Sequence, residues 1–223
     1  MTLNFDPYIS NPVYEVCEYT DREQWKAGRK KGIGGSDAAS ALGMSKWHTN
    51  VDLWKIKTGR KQPEDISNNP AVIYGTYAEE HLRNLYKLET EDRYSFFYKP
   101  DTILVNKKND YMRYSPDGLL IEKDSNRLGI WECKTAHANR YQKELWKTEI
   151  PREYYIQILH GMNVLGAEFV ELHAQINHGD WFERRTFHIE RDDVTEDLEF
   201  EKAGIEKFMK YIEDDVEPPL WIY

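Results

Sequence analysis

Two acids and a lysine in the stretch from Ser115 to Lys134, SPDGLLIEKDSNRLGIWECK, have the types and spacing to hold a divalent cation. The stretch reads as a β-hairpin. Asp117 opens a first run (Asp117 to Lys123), Glu132 and Lys134 close a second (Leu128 to Lys134), and the polar Asp124-Ser125-Asn126 between them is a turn signal. Folding about that segment pairs positions whose numbers sum to about 250, which sets Asp117 opposite Glu132 to Lys134. Glu132 and Lys134 are two apart and share a strand face. Two carboxylates and an ammonium then meet beside the bend Ser115-Pro116-Asp117-Gly118. Carboxylates left together without compensation are costly, so the cluster implies a cation, and oxygen ligands on a rigid strand suit Mg2+ or Mn2+. Glu-x-Lys by itself arises about once by chance in a chain of ordinary composition. On an exposed strand it is a solvated charge pattern worth little, so the rest of the chain has to decide.

A second chemistry-bearing stretch is RKKGIGGSDAASALG. Glycines 32, 34 and 35 allow a tight backbone, and Ser36 is placed to cap a helix over Asp37 to Leu42 that Gly43 ends. A Gly-rich turn feeding a helix N-terminus presents N–H groups to an anion, and Arg29, Lys30 and Lys31 add full charges; an ordinary capped helix after a loop has the same pattern. Glu79 borders the apolar stripe of a later helix, either as a site acid or as a surface partner of Arg83 at i+4. Gln157 shares a helix face with Tyr154, His160 and Gly161.

These residues need a scaffold, and the order of signals supplies one. The first twenty residues read as an extended arm, followed by a short helix over Asp21 to Ala27 with Thr20 as N-cap. After the glycine-rich stretch comes a helix from Asn50 to Lys57, with Thr49 as N-cap, Asp52 at its third position and Gly59 past its end. The polar GRKQPEDISNNP is an exposed loop, and Asn69-Pro70 starts a helix to about Leu88 whose stripe is Tyr74, Ala78, Leu82, Leu85 and Tyr86. Strand patterns follow in SFFYKP, TILVN and YMRYS, then the hairpin. Helices resume over Ala138 to Lys147 and Pro151 to Leu165. A second hairpin, Glu168 to Asn177 and Trp181 to Glu190, turns at His178-Gly179-Asp180, and an acidic helix runs from Val194 to Ile212. The apolar tail Glu217 to Tyr223 is expected to dock on its own domain or on a neighbouring subunit. The expectation is an α+β fold, a central mixed sheet flanked by helices, forming a single domain over 1–223 with its motif-bearing core at about 29–190.

Composition narrows the function. Two cysteines, Cys17 and Cys133, are too few for a disulfide framework, no zinc-type Cys/His spacing occurs, and neither a secretory signal nor a membrane-length apolar run is present. A soluble, reduced, cytoplasmic protein without membrane contact is expected. The net charge of −9 is unevenly spread. Residues 22–61 carry ten Lys/Arg against three acids, and residues 190–217 carry twelve acids against four bases. Such a chain can meet DNA on one side only.

Taken in order, Gly32-Ile33-Gly34-Gly35-Ser36-Asp37-Ala38-Ala39 with Leu42-Gly43, Gly75 with Glu79, Ser115-Pro116-Asp117-Gly118, Glu132-Cys133-Lys134, and Tyr154 with Gln157 resemble the YqaJ-type viral recombinase nucleases, relatives of the phage lambda exonuclease within the PD-(D/E)xK nuclease superfamily. The resemblance covers about Arg29 to Gly166. It implies a PD-(D/E)xK core and a Mg2+- or Mn2+-dependent deoxyribonuclease that degrades the 5′-ended strand of linear duplex DNA, leaving a 3′ single strand for an annealing protein in phage recombination inside a bacterial host. It further implies a homotrimer. By motif match, Asp117, Glu132 and the main-chain carbonyl of Cys133 hold one or two metal ions, and Glu79 adds an acid directly or through water. Lys134 and Gln157 complete the catalytic set, while Arg29, Ser36 and Ser115 bind the 5′ phosphate and the strand. Nearby carboxylates keep Lys134 protonated, which suits a hydrogen-bond donor better than a base. The alternatives are a structure-specific or restriction-like endonuclease of the same superfamily, and a catalytically silent DNA- or protein-binding module on the same fold.

Overall fold

The structure, a computed structural model, describes residues 6–137, 145–146 and 149–221. Its central sheet has five strands in the order β2-β5-β6-β7-β8: β2 (Tyr94–Phe97), β5 (Gly118–Glu122), β6 (Leu128–His137), β7 (Phe169–Asn177) and β8 (Phe182–Glu190). All neighbours are antiparallel except β6 and β7, which run parallel. A parallel pair needs a crossover, and helix α5 (Arg152–Leu165) lies within it. The expected α+β architecture, a mixed sheet flanked by helices, is therefore present.

Strand alternation sorts the sheet's two faces. Trp131 and Cys133 of β6 pack with Leu82 and Tyr86 of α4 (Pro70–Glu89), together with Tyr94, Leu120 and Phe169. Ile130 of β6 belongs instead to the larger core with Leu119, Val170, Leu172, Ile158 and Leu159. Glu132 and Lys134 have the parity of Ile130 and so point toward α5.

A smaller three-stranded sheet, β1 (Tyr14–Glu18), β3 (Thr102–Asn106) and β4 (Arg113–Tyr114), was not foreseen as a separate layer. β1 occupies part of the expected N-terminal arm and pairs along its whole length with β3. Helix α1 (Arg22–Lys30) packs on β3, Gly35 of α2 (Gly35–Ala41) lies against Tyr114 of β4, and α3 (Asn50–Lys57) and α6 (Thr195–Glu213) pack on α2.

Two caps differ from expectation. Asp21, not Thr20, caps α1, because its carboxylate accepts from Gln24 N at 2.8 Å while the Thr20 hydroxyl turns to the Gln24 side chain. Gly34, not Ser36, is the N-cap of α2, and Asp37 reaches back to the Gly34 N–H at 3.0 Å. The expected α3 is reproduced with its capping box of Thr49 and Asp52, and Asn69 and Pro70 start α4 as predicted. The helix expected over Ala138 to Lys147 lies outside the described residues except at 145–146. The tail docks on its own chain: Trp221 N donates to Asn50 Oδ1 at 3.0 Å, and Asn50 Nδ2 donates to the Pro219 carbonyl at 2.8 Å.

Candidate active site

The hairpin register is close to the one expected. Gly118 faces Trp131 and Leu119 faces Ile130, so Asp117, one residue before β5, comes level with Glu132 and Cys133. The Asp117 carboxylate accepts from the Cys133 N–H at 2.8 Å. Glu132 is 1 % exposed, and both its oxygens are engaged. Oε1 accepts from Lys134 Nζ at 2.7 Å and from Gln157 Nε2 at 2.5 Å, and Oε2 accepts from the Tyr114 hydroxyl. Gln157, one turn along the same face of α5 from Tyr154, thus reaches the hairpin from the crossover helix.

Glu79 arrives from α4. It forms the ion pair with Arg83 anticipated as the bland alternative, yet the pair is part of the site: Arg83 is buried, and its Nε also donates to the Asp117 carbonyl at 3.2 Å. Tyr98 lies under the Arg83 guanidinium at 3.4 Å from the ring centre.

Electrostatics mark the cluster as strained for charge. Burial pushes the Asp117 carboxyl well above the usual carboxylate range, and Glu132 and Glu79 push it further. Glu79 is raised by burial and by Glu132, against the pull of Arg83. Burial works against the Lys134 ammonium, but Glu132 and Asp117 hold its pKa above the ordinary lysine value, so it is a donor at neutral pH.

One cleft of about 1090 Å3 joins these residues to the glycine-rich stretch, with Glu79, Asp117, Glu132, Lys134 and Gln157 on one side and Arg29, Gly34, Gly35 and Ser36 on the other. Arg29 Nη2 donates to Ser36 Oγ at 2.6 Å, and its guanidinium lies 4.7 Å from the centre of the buried Trp25 ring. Freed from capping, Ser36 is a companion of Arg29. The N-terminus of α2 is less open than the sequence suggested, since the Gly34 N–H is given to Asp37. Against the burial that would raise it, Lys57 and Arg29 hold the Asp37 carboxyl below its ordinary range. Lys57 donates to Asp37 at 2.7 Å and to the Gly32 carbonyl at 2.6 Å, which locks the turn. Ser115 also lines the cleft, but its hydroxyl donates to the Thr102 carbonyl at 2.8 Å, a bond that braces the bend before Asp117.

Sequence reading did not single out Tyr114, the link between the two sides of the cleft. Its ring is buried, and a Cβ on Gly35 of α2 or on Gly161 of α5 would come within 2.7 or 2.6 Å of it. The glycines are therefore needed for close approach of both helices to the tyrosine. Arg22 and Arg113 add further cations to the cleft wall.

Among the described residues, no three His, Cys, Asp or Glu side chains stand ready-made as a metal nest. Lys134, Gln157 and Tyr114 engage the Glu132 oxygens and Arg83 engages Glu79, oxygens that a bound cation would share. The donor set still suits a hard divalent ion. The candidate ligands are carboxylate and carbonyl oxygens, and the raised Asp117 and Glu79 carboxyls are the charge that such an ion relieves.

Comparison with known proteins bears on fold and kinship. The sequence profile of the YqaJ-like viral recombinase domain matches residues 24–168. "Uncharacterized protein YqaJ" of Bacillus subtilis (strain 168) is 32% identical over 190 residues, 83% of this chain and 54% of the relative, so the chain spans about half the length of that curated relative. Two crystal structures of an alkaline exonuclease of Laribacter hongkongensis superpose with a TM-score of 0.60 over 86% of this chain and 95% of theirs. The first is 22% identical, and the second, a complex of that enzyme with dAMP, is 21% identical. The likeness carries the fold alone, an α+β domain whose mixed central sheet is flanked by helices.

Proposed function

The chain belongs to the YqaJ-like viral recombinase domain family, and on that premise we propose that it is a metal-dependent 5′→3′ exonuclease acting on linear duplex DNA ends. One observation carries the reading: a single cleft holds an acid-lysine-glutamine cluster and, facing it, an arginine-serine pair suited to a terminal phosphate. A nuclease that starts from an end needs both parts.

Asp117, Glu132 and the Cys133 carbonyl would hold Mg2+ or Mn2+, with Glu79 beside them. Such an ion, when bound, neutralises charge gathering on the phosphate and the leaving oxygen. Arg29 and Ser36 take the 5′ phosphate, the guanidinium as a two-pronged donor held in place by Trp25. Lys134 remains protonated and donates toward the attacked phosphate and the incoming water, and the Gln157 amide keeps Glu132 and Lys134 in register. Ser115 braces the strand-entry bend. The 3′ strand left behind would pass to an annealing protein, and a homotrimer would enclose the DNA; a monomeric mass by light scattering removes that last part.

The decisive assay offers linear and covalently closed circular duplex with and without Mg2+. Mononucleotides should appear from the linear form only, and only with metal. Cutting of the circle would make the protein an endonuclease, and no cleavage of either would leave a binding module. Linear substrates with a 5′ phosphate should be digested faster than those with a 5′ hydroxyl, whereas equal rates would remove Arg29 and Ser36 from end recognition.

A further inference from the structure

A second cleft, of about 1040 Å3, opens on the far side of the catalytic lysine. Lys134 lines the first cleft, while Thr135, the next residue of β6, lines the second. Tyr154 stands at the division. Its ring lines the second cleft and lies 5.2 Å from Lys134 Nζ.

Behind Tyr154 is an aromatic ladder. Trp146 stacks on it at 5.8 Å and 27°, and Phe187 continues from Trp146 into the core. In front is Trp47, 5.9 Å away and tilted by 47°, in the loop that follows α2. Trp47 is 54% exposed, so part of its ring is open to an incoming flat group. The loop is held rather than loose, since Ser45 Oγ accepts from the Trp47 N–H at 3.1 Å and the His48 N–H at 3.4 Å. Lys46 Nζ sits 4.8 Å from the Trp47 ring centre, and its charge is matched by the buried Glu153.

Arg152 and Glu149 on the same cleft also offset each other in sign, so the shelf is aromatic and without net charge. A phosphate would find no spare charge on it, but the flat face of a nucleobase would find a surface of its own kind. The site also has to continue. A strand whose 5′ phosphate is at Arg29 and whose scissile phosphate is at Lys134 must leave the first cleft, and the second begins at the next residue of β6. We propose that Trp47, backed by Tyr154, stacks an unpaired base of the DNA strand just 3′ of the scissile bond. The inference rests on the nuclease reading above and deepens it. A base within an intact duplex has both faces covered by its neighbours, so the shelf selects a strand already separated at that point.

The test uses a 5′-phosphorylated oligothymidylate of about eight nucleotides, with Ca2+ replacing Mg2+ so that binding is read without turnover. Trp47→Ala should weaken binding by about tenfold, the scale of one base stacked on an aromatic ring, while Trp47→Phe retains most of the affinity. Trp181→Ala, at an equally exposed tryptophan on the β7–β8 turn, should bind as the parent does. Probes with an abasic site moved along positions two to four should show one position whose base loss weakens the parent but costs Trp47→Ala nothing further. If every abasic probe weakens Trp47→Ala as much as the parent, the shelf is refuted and the nuclease reading stands. If the parent does not bind the phosphorylated probe, or Arg29→Ala binds it equally well, end binding itself fails and the shelf falls with it.

Discussion

Glu79 had two readings in the sequence, a site acid or half of an i,i+4 ion pair, and the structure gives it both roles because Arg83 bridges Glu79 to the Asp117 carbonyl. The pair holds positive charge beside acids whose repulsion and burial raise their pKa values. Lys134 does the same for Glu132 from inside the strand face. Its protonation argues for a donor role, so Lys134→Ala should abolish cleavage while leaving DNA affinity within a few fold; normal turnover by this variant would refute the role. Tyr114 offers a finer test. Its hydroxyl donates to Glu132 Oε2. Tyr114→Phe keeps the ring that fills the space beside Gly35 and Gly161, removing only the donor. Loss of such a supporting bond typically costs about 10- to 100-fold in metal affinity or activity. The Mg2+ concentration for half-maximal rate should therefore rise while binding of duplex DNA is unchanged. An unaltered Mg2+ curve would reduce Tyr114 to packing.

At the level of elements, the glycine-rich stretch has the pattern of an anion loop and equally of an ordinary capped helix, and its glycines have a further purpose. Gly35 lets the start of α2 lie against the Tyr114 ring, and Gly161 lets α5 do so from the other side. Gly35→Ala should destabilise the fold by about 1–3 kcal/mol through overpacking and lower activity further by displacing Tyr114 from Glu132. Chemical denaturation and turnover measured together would separate the two effects, and a variant of parental stability would mean that the ring simply slides aside. What was legible beforehand was local. The α3 capping box, the Asn-Pro start of α4 and the hairpin register depend on residues close in sequence, and each was found. The small sheet was hidden because β4 has two residues and β1 gains its identity only by pairing with β3, some ninety positions away. Ser36 has the residue type of a cap, and only the neighbouring α1 reveals that Arg29 claims its hydroxyl. The importance of Tyr114 could not be read locally either, since its partners come from β6, α2 and α5.

Across the whole molecule, the uneven charge of the sequence is partly resolved within the chain, for Arg60 pairs with Asp215 at 2.7 Å and Lys55 with Glu217 at 3.4 Å. The acidic helix α6 packs against α2, α3 and α5, and one buried contact ties it to the glycine-rich turn. His160 Nδ1 meets Glu201 Oε1 at 2.7 Å, while Nε2 faces the Ile33 carbonyl at 3.0 Å and the Arg113 carbonyl at 3.2 Å. A carboxylate at one ring nitrogen and carbonyls at the other favour the doubly protonated ring, and Asn163 Nδ2 donates to the other Glu201 oxygen at 2.6 Å. Burial opposes that charge, but Glu201 and the two carbonyls raise the His160 pKa above the ordinary histidine value. A raised folded-state pKa gives stability that is complete below the unfolded value and fades as pH rises through the folded one. His188, raised by Glu190 and Glu171 against partial burial, adds in the same direction, whereas His173, lowered to about 4 by burial, acts only in acid. Breaking a buried pair by removing one charge costs roughly 3–5 kcal/mol. Glu201→Gln should therefore melt well below the parent near pH 6, and the gap should narrow steadily toward pH 9 as the parent's own His160 loses its proton beside a buried carboxylate. A gap in melting temperature that stays constant across this range would mean that His160 is neutral and that α6 is held to the turn by packing alone.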